Sequence, residues 1–413
     1  MKREMKDSGI KWIGEIPREW RICRVKDVIK GLQDGTHGTF NRVESNYLLL
    51  SAKNIMDNGV LVSESESSIS KEDYLNIISN GYPQNGDIAL CCVGTIGRCC
   101  IYNEDKIHAF QRSVSFLRVN ERILNLYLLY YLRSNLSFYQ YDTLSKASAQ
   151  SGIYLGTLSN LIIILPPLPE QRRIATFLDH QCSEIDKLIS LQEQFIEELK
   201  AYKQSVITEA VTKGLNPGVE MKESGVEWID TIPSHWEKRK LKTLVTLKSG
   251  TNLTSYDINE TNGYPVYGGN GLRGYYSEYS NEGDYILIGR QGALCGNVNY
   301  THGKFWVTEH ALVCYPKCEY IVNWLGELLR AMNLNQYSLS AAQPGLSAER
   351  IMNLYLPVPP LSEQRSIATY LDTKCTEIDS LIALKQQKIE SLNAYKKSMI
   401  YEYVTGKKSV PDA

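Results

Sequence analysis

The chain repeats itself, and this internal duplication constrains the fold more than any other feature of the sequence. The segment DSGIKWIGEIPREW at residues 7–20 returns as ESGVEWIDTIPSHW at residues 223–236, with 7 of 14 positions identical at an offset of 216. The segment LPPLPEQRRIATFLDHQCSEIDKLI at residues 165–189 returns as VPPLSEQRSIATYLDTKCTEIDSLI at residues 358–382, with 17 of 25 positions identical at an offset of 193. The 413 residues are therefore two consecutive repeats, each with an opening box, a middle and a closing segment.

The two middles share little sequence. The offset falls from 216 to 193, so the first middle is longer by 23 residues. Faint echoes survive, such as Gly94-x-x-Gly97 with Gly289-x-x-Gly292 and residues 149–152 with residues 342–345. Two modules that do the same task on two different targets are expected to keep their opening and closing segments while their middles diverge. A duplicated domain in which one copy drifted is the alternative.

The closing segments predict two long helices. No Pro or Gly occurs from residue 170 to Gly214, or from residue 361 to Gly406, and these glycines are helix stops. Apolar residues recur mainly at alternating steps of four and three, which indicates a coiled-coil seam interrupted by Gln192 and Lys385 at matching places. The seam residues are Leu178, Cys182, Ile185, Ile189, Ile196, Leu199, Val206 and Ala210, then Leu371, Cys375, Ile378, Ile382, Ile389, Leu392, Met399 and Tyr403.

Each helix would be a rod of roughly 65 Å with an exposed apolar seam, so each is the natural partner of the other. The linker after the first helix, residues 214–222, is short, which favours antiparallel pairing. The middles look like mixed strand and turn, with strands at 47–50, 87–93 and 114–119 and helices at 124–136 and 320–332. We expect an α+β fold with two tandem modules, each followed by a long helix, the helices pairing as an antiparallel coiled coil with pseudo-twofold symmetry. The predicted boundaries are module 1 at 1–165, helix 1 at 166–214, module 2 at 215–357, and helix 2 with the tail at 358–413.

Composition excludes several classes of protein. Hydrophobic residues make up 43% and charged residues 22%, as in ordinary globular proteins, and the net charge is -1, so nucleic-acid binding would need local basic surfaces. No apolar run approaches the length of a membrane helix, and the charged start does not look like a signal peptide. We expect no membrane association and a reducing cytoplasm. Cys91, Cys92, Cys99 and Cys100 are then better explained as small buried residues on two strands than as a zinc site.

Catalytic signatures are missing from the sequence. It contains no P-loop, no GxGxxG fingerprint, no Asn/Asp-Pro-Pro-Tyr/Phe motif of amino-methyltransferases and no HExxH pairing. Glu104-Asp105-Lys106 resembles the end of a metal-dependent nuclease motif but has no identifiable partner carboxylate. The Glu309-His310 pair is interpreted as a polar contact. No catalytic activity is predicted from these residues.

The doubled motif Pro-Pro-Leu-x-Glu-Gln-Arg-x-Ile-Ala-x-aromatic-Leu-Asp, each time opening a long helix, resembles the specificity subunit of Type I restriction-modification enzymes. The opening boxes, the DGTH turn at 34–37 and the YPVYGGNG segment at 264–271 resemble that family too. The resemblance implies two target-recognition domains, each reading one half of a bipartite site in double-stranded DNA, with paired helices that set the unread spacer. Two methyltransferase (M) subunits would dock on the helices, and restriction (R) subunits would join them. S-adenosylmethionine, ATP and Mg would belong to those partners, with no cofactor in this subunit.

Base reading requires polar or basic side chains in loops. The candidates in the first module are Thr36, His37, Lys53, Asn54, Thr95, Arg98, Arg112 and Gln150. The candidates in the second are Lys248, Asn270, Arg273, Arg290, Gln291, His310 and Gln343. For each one, an ordinary solvated or turn-capping side chain is an equally good interpretation, as it is for the basic run at 238–242. Arg172 and Arg365 match between the two helix starts and are assigned to the fold or to subunit docking.

Three other functions compete with this one. The chain could be the recognition subunit of a related restriction-modification system that cleaves on both sides of its site. It could be a coiled-coil scaffold that binds protein alone, although a scaffold has no need of two unlike modules. A self-contained methyltransferase-nuclease is disfavoured because no cofactor loop is present.

Overall fold

The computed structural model describes residues 3–145, 152–292, 294–338 and 345–411. The chain divides into a first unit, residues 1–192 with 387–413, and a second unit, residues 193–386. Each unit contains one middle module and part of both long helices. Within the described residues the α-helices are α1 (Lys71–Ile78), α2 (Asn125–Leu132), α3 (Asn135–Ser145), α4 (Leu155–Ser159), α5 (Leu168–Lys213), α6 (Val322–Ala331), α7 (Ala348–Met352) and α8 (Leu361–Val404).

The two long helices, α5 and α8, confirm the prediction from the closing segments. Each begins directly after a Pro-Pro pair, and the chain adopts a positive φ at Gly214 and at Gly406, beyond their ends. Most of the predicted seam is buried, including Leu178, Ile185 and Ile196 in α5. The interrupting residues Gln192 and Lys385 are half-buried.

The helices run antiparallel within each unit. In the first unit the rings of Phe177 and Tyr403 lie 4.6 Å apart between centroids, and Lys396 Nζ lies 2.7 Å from Asp186 Oδ1. Residue numbers thus rise along α5 as they fall along α8.

The second unit repeats this pairing with the roles of the helices exchanged. Lys385 Nζ lies 4.8 Å from the ring centre of Phe195, and Lys203 Nζ lies 2.7 Å from Asp379 Oδ2. The Asp186–Lys396 and Asp379–Lys203 ion pairs join equivalent positions of the two closing segments. The α+β class, the two tandem modules and the antiparallel, twofold-repeated helix pairing are therefore as predicted from the sequence.

A small antiparallel sheet forms the centre of the first module. Its strand order is β4-β11-β8-β9, and β5 pairs with β10 in parallel beside it. The strands of the first unit are β1 (Met5–Asp7), β2 (Glu15–Pro17), β3 (Arg21–Arg24), β4 (Ile29–Asp34), β5 (Leu49–Leu50), β6 (Ile55–Met56), β7 (Gly59–Val60), β8 (Ile88–Cys91), β9 (Cys99–Ile101), β10 (Ala109–Phe110), β11 (Val114–Val119) and β12 (Ile162–Leu165).

The second module has an equivalent central sheet despite its different sequence. Its central sheet has the order β16-β23-β20-β21, and β17 pairs with β22 in parallel. The strands of the second unit are β13 (Met221–Val226), β14 (Ile229–Pro233), β15 (Glu237–Lys240), β16 (Val245–Ser249), β17 (Tyr264–Gly268), β18 (Gly271–Tyr276), β19 (Asn281–Glu282), β20 (Tyr285–Gly289), β21 (Val298–Thr301), β22 (Lys304–Val307), β23 (Ala311–Pro316) and β24 (Tyr355–Val358).

The start of each long helix holds the opening box of the same repeat. The fully buried Trp20 donates its indole N–H to Glu170 Oε2 at 2.7 Å, and Trp236 donates to Glu363 Oε2 at 2.9 Å. These are the Glu residues of the two Glu-Gln-Arg motifs. The opening box and the closing segment of each repeat therefore contact each other. This contact accounts for both segments being kept in both repeats.

The next residue of the motif, a glutamine, links the long helix to the middle module through hydrogen bonds. Buried Gln171 accepts from the backbone N–H of Leu124 at 2.9 Å, at the start of α2, and donates to the carbonyl oxygens of Arg122 and Pro166. Gln364 accepts in the same way from the N–H of Ile321, at the start of α6, at 3.1 Å. Each glutamine satisfies a backbone group that would otherwise be buried without a partner.

The clustered cysteines are small buried residues on paired strands, as predicted. Cys91 ends β8, Cys99 and Cys100 lie in β9, and all four side chains are buried. Burial raises the pKa of Cys92 and of Cys100 to about 12. None of the helices in the described ranges is long and apolar enough to cross a bilayer.

Replacing Gln171 by Ala should lower the free energy of unfolding of the first unit by about 1–3 kcal/mol, because the N–H of Leu124 loses its buried partner. Chemical denaturation of the full chain measures this, with tryptophan fluorescence as the signal. Arg172→Ala is the matched control, because Arg172 is the exposed neighbour of Gln171, and it should change stability by less than about 0.5 kcal/mol. Equal losses for the two variants would show that the glutamine does not hold the module.

Candidate nucleic-acid interface

One end of the central sheet in the first module is built around the turn between β10 and β11. The N–H of Thr36, just after β4, donates to the carbonyl of Phe110 at 2.7 Å, and the N–H of Arg112 donates to the carbonyl of Thr36 at 2.9 Å. The N–H of Cys92, at the end of β8, donates to the carbonyl of Ser113 at 2.9 Å. Three separate segments therefore meet at this edge.

The second module has equivalent backbone bonds at the corresponding edge. The N–H of Thr251 donates to the carbonyl of Val307 at 2.9 Å, and the N–H of Arg290 donates to the carbonyl of His310 at 2.8 Å. Residues 153 and 346 also make equivalent bonds to their modules. The N–H of Ile153 donates to the carbonyl of Cys92, and the N–H of Leu346 donates to the carbonyl of Arg290, both at 2.9 Å. This pattern aligns residues 92–93 with 290–291 and residues 112–113 with 309–310. We call these four positions in each module the tip.

Glycine lets the strand approach the tip turn in both modules. A Cβ on Gly35 would overlap the carbonyl oxygens of Phe110 and Gln111, and a Cβ on Gly250 would overlap those of Val307 and Thr308. The close approach fixes where the turn sits relative to β4 or β16. The DGTH motif in the first module and the Ser-Gly-Thr of residues 249–251 therefore serve the same structural purpose.

Thr36, His37 and Arg112 come together at the first tip. His37 and Arg112 are exposed, and His37 Nε2 lies 3.7 Å from Asp34 Oδ2. Ser115 donates to the other oxygen of Asp34, and burial raises the pKa of this carboxyl above its ordinary value. The tip therefore places basic side chains beside a partly buried acid.

Lys53 and Asn54 lie in a short turn after β5 and are engaged inside the module. Asn54 is 2% exposed, accepts from the N–H of Ser51, and donates to Leu61 O and Glu66 Oε1. Lys53 Nζ lies 2.8 Å from Glu66 Oε2. Although burial opposes ionisation, these partners hold the pKa of Glu66 at about 2. Asn54 thus stabilises the turn, and its amide hydrogen bonds are already made.

Thr95 and Arg98 lie on the loop between β8 and β9 and face a basic recess. Arg98 donates to the carbonyl of Ile55 at 3.1 Å. The recess has a volume of about 330 Å³ and lies entirely within the first unit. Its charged lining residues are Asp57, Arg98, Arg133, Lys396 and Lys397. The excess of positive charge suits a phosphate group.

Three candidates of the second module form one polar cluster at the tip. His310 Nδ1 lies 2.8 Å from Gln291 Oε1, and His310 Nε2 lies 3.0 Å from Glu309 Oε1. The guanidinium of Arg290 lies 3.5 Å from Ser249 Oγ. The Glu309–His310 polar contact is as predicted.

The other candidates of the second module make separate contacts. The Lys248 ammonium lies 5.3 Å from the ring centre of Tyr315, and Asn270 accepts from Asn297 Nδ2 at 2.8 Å. The exposed side chain of Arg273 packs its methylene groups near Gly268. Gln150 and Gln343 lie outside the described residues.

Sequence reasoning missed Ser113 and Glu309 as tip residues. Ser113 Oγ accepts from the N–H of Ala52 at 3.1 Å, and Glu309 is half-exposed. No motif marks either residue, and their equivalence to His310 and Arg112 becomes visible only through the shared backbone bonds.

The remaining basic candidates lie away from the tips. Arg172 and Arg365 are exposed at the starts of α5 and α8. Lys238 and Lys240 lie on β15, with their ammonium groups 4.4 Å and 5.1 Å from the ring centre of Tyr355 on β24. These positions belong to the frame around each helix start.

Known proteins share this architecture. A chain in a structural study of complex assembly and conformational transition of the type I R-M system has a TM-score of 0.71 and 17% identity, covering 95% of this chain and 99% of that chain. The HsdS subunit from Thermoanaerobacter tengcongensis has a TM-score of 0.50 and 18% identity, covering 95% of this chain and 98% of that chain. At these identities the likeness concerns the fold.

Sequence comparisons agree with the structural ones. The specificity subunit of the Type I restriction enzyme EcoprrI of Escherichia coli is 39% identical over 156 residues, which span 37% of this chain and 39% of that protein. The specificity subunit of the Type I restriction enzyme MjaVIII of Methanocaldococcus jannaschii is 24% identical over 95% of this chain and 93% of its own length. The family model for the Type I restriction modification DNA specificity domain matches twice, at residues 17–201 and 233–394. The chain therefore belongs to the Type I restriction-modification specificity family and carries two specificity domains, one in each repeat.

Proposed function

We propose that this chain is a non-catalytic specificity subunit that reads a bipartite site in double-stranded DNA, one half with each tip. The observation that carries the proposal is the shared backbone frame with unlike side chains. Equivalent backbone hydrogen bonds at the flanking residues and at Ser113 and His310 shape the turn that carries Arg112 in one module and Glu309 in the other. A shared backbone frame that carries different polar residues at its tips suits two readers of different sequences.

The basic recess of the first unit supports contact with the DNA backbone. Arg98, Lys396 and Lys397 face it from a loop next to the tip and from α8. Phosphate contacts position a protein on the duplex, and base contacts at the tip would then select the sequence. The net charge of -1 makes such local basic surfaces necessary.

The long helices would set the unread spacer and dock two methyltransferase subunits. Exposed apolar side chains support a docking role, since Leu188 is 48% exposed in the first unit and its equivalent Leu381 is 47% exposed in the second. S-adenosylmethionine, ATP and Mg would act in the methyltransferase and restriction subunits. The recognition subunit of a bilaterally cleaving system would use the same architecture.

The proposal is tested by the methylome of a host that expresses this chain with the methyltransferase subunit encoded beside it. We expect a split motif with methyl-adenine in both halves, read by single-molecule sequencing. If soluble, associated subunits add no methylation, the chain acts as a scaffold or the complex is inactive.

Phosphate binding in the recess predicts a shallower salt dependence when Lys397 is replaced by Ala. The slope of log K against log salt should fall by about 0.9 for one lost phosphate contact. DNA binding by the full chain at several salt concentrations measures this slope. Gln204→Ala is the matched control, because Gln204 occupies the equivalent position in the other closing helix and is neutral. If both variants keep the wild-type slope, the recess does not contact phosphate.

Removing one heptad from both helices should shorten the spacer without changing the half-sites. The contacts Phe195–Lys385 and Lys203–Asp379 define the pairing register, and deleting 191–197 with 384–390 preserves it. Seven residues correspond to about 10 Å of helix, or about three base pairs. The methylation motif of the double-deletion variant measures the new spacer. A change in the bases of either half would contradict the ruler function.

A further inference from the structure

We propose that the position shared by Arg112 and Glu309 selects a base in each half-site, and that the two modules select opposite hydrogen-bonding partners there. Arg112 would read a guanine. Glu309 would read a base that offers an exocyclic amino group in the major groove, cytosine or adenine. This inference rests on the proposed function, since it assumes that the tips contact DNA bases.

The two residues occupy the same place in the same turn. Two residues before each, Phe110 and Val307 accept from Thr36 and Thr251. Two residues after Arg112, the N–H of Val114 donates to Gln111 O at 3.1 Å, and Ala311 N donates to Thr308 O at 3.1 Å. The backbone therefore presents residues 112 and 309 in equivalent positions, and only the side chains differ.

Arg112 offers donors at this position. Its side chain is exposed, and its backbone is fixed by the bond to Thr36 O. A guanidinium is always protonated and presents its N–H groups as a planar fork. Guanine O6 and N7 are the acceptor pair that fits this fork in the major groove.

Glu309 offers only acceptors. One oxygen, Oε1, lies 3.0 Å from His310 Nε2, whose ring also contacts Gln291 at 2.8 Å through Nδ1. The other oxygen, Oε2, has no hydrogen-bond partner among the described residues but is shielded from solvent, so the half-exposed side chain would have to rotate to present it to a base. An ionised carboxylate cannot donate, so an amino group of cytosine or adenine is the base-edge group that suits it.

Basic neighbours make a carboxylate compatible with a DNA surface. Arg290 lies at the same edge of the second module, with its guanidinium 3.5 Å from Ser249 Oγ, and His310 is in direct contact with the carboxylate. They would offset repulsion between Glu309 and phosphates. The first tip has the reverse arrangement, with Arg112 exposed and Asp34 partly buried beneath it. The charge order of the two tips is thus inverted on one frame.

Charge-swap variants of the full chain, each assembled with its methyltransferase subunit, test the inference. Glu309→Arg should change the preferred base at one position of one half-site to guanine, and Arg112→Glu should replace a guanine in the other half. Discrimination at the affected position should change roughly 5- to 150-fold, as expected for one bidentate contact. The readout is the methylation motif, supplemented by competition binding with duplexes substituted at each position.

Milder variants and a control keep the test decisive if a charge swap prevents assembly. Glu309→Ala removes the acceptor and should relax selection of the amino-bearing base, and Arg112→Ala removes the donors and should relax selection of guanine. Glu237→Arg, a change of the same kind on β15 away from the tip, should leave both half-sites intact. Unchanged motifs in the two Ala variants would overturn the inference while leaving the proposed function standing. A wild-type chain without any bipartite motif would overturn both.

Discussion

In each repeat, two consecutive residues near the start of the long helix join that helix to the opening box and to the middle module. These residues are Glu170-Gln171 and Glu363-Gln364. The carboxylate of each glutamate accepts a hydrogen bond from the buried indole N–H of the opening box. The side-chain amide oxygen of each glutamine accepts a hydrogen bond from a backbone N–H at the start of the module's helix. Three stretches distant in sequence therefore meet at one helix turn. Their hydrogen bonds are buried, so losing one leaves an unsatisfied group and costs more than a surface contact would. This explains why the motif is repeated almost unchanged while the middles diverge.

The tips differ from the helix starts, because hydrogen bonds between backbone groups fix the geometry of each tip. Hydrogen bonds between main-chain atoms do not depend on side-chain identity, apart from the close approaches at Gly35 and Gly250, where a Cβ does not fit. The turn can therefore carry Arg112-Ser113 or Glu309-His310 with the same geometry. In the proposed function, specificity is located where substitutions cost the fold least.

The helices, their caps and the duplication were predictable because period and punctuation are local signals. The central strands were partly predictable, and β11 spans the expected residues 114–119. The candidate site was harder. Asn54 has the same local sequence signals as an exposed loop residue, and its burial depends on Glu66, twelve positions away. Glu309 was missed as a tip residue because the offset between the modules is 197 at this turn, unlike the 216 and 193 of the repeated motifs, so direct alignment does not pair it with Arg112.

The separation of frame from tip also explains how two unlike modules can be carried by equivalent helix pairs, one in each unit. Each unit repeats the helix contacts of the other, down to the equivalent ion pairs Asp186–Lys396 and Lys203–Asp379. Equivalent supports favour equivalent presentation of the two tips to a duplex, whatever side chains the tips carry. If the tips and helices act as proposed, a change of half-site needs only a few polar substitutions at an exposed turn, whereas a change of spacer needs coordinated changes in two helices. On this architecture we expect base preference to diverge readily and spacing to be constrained by the coiled-coil register.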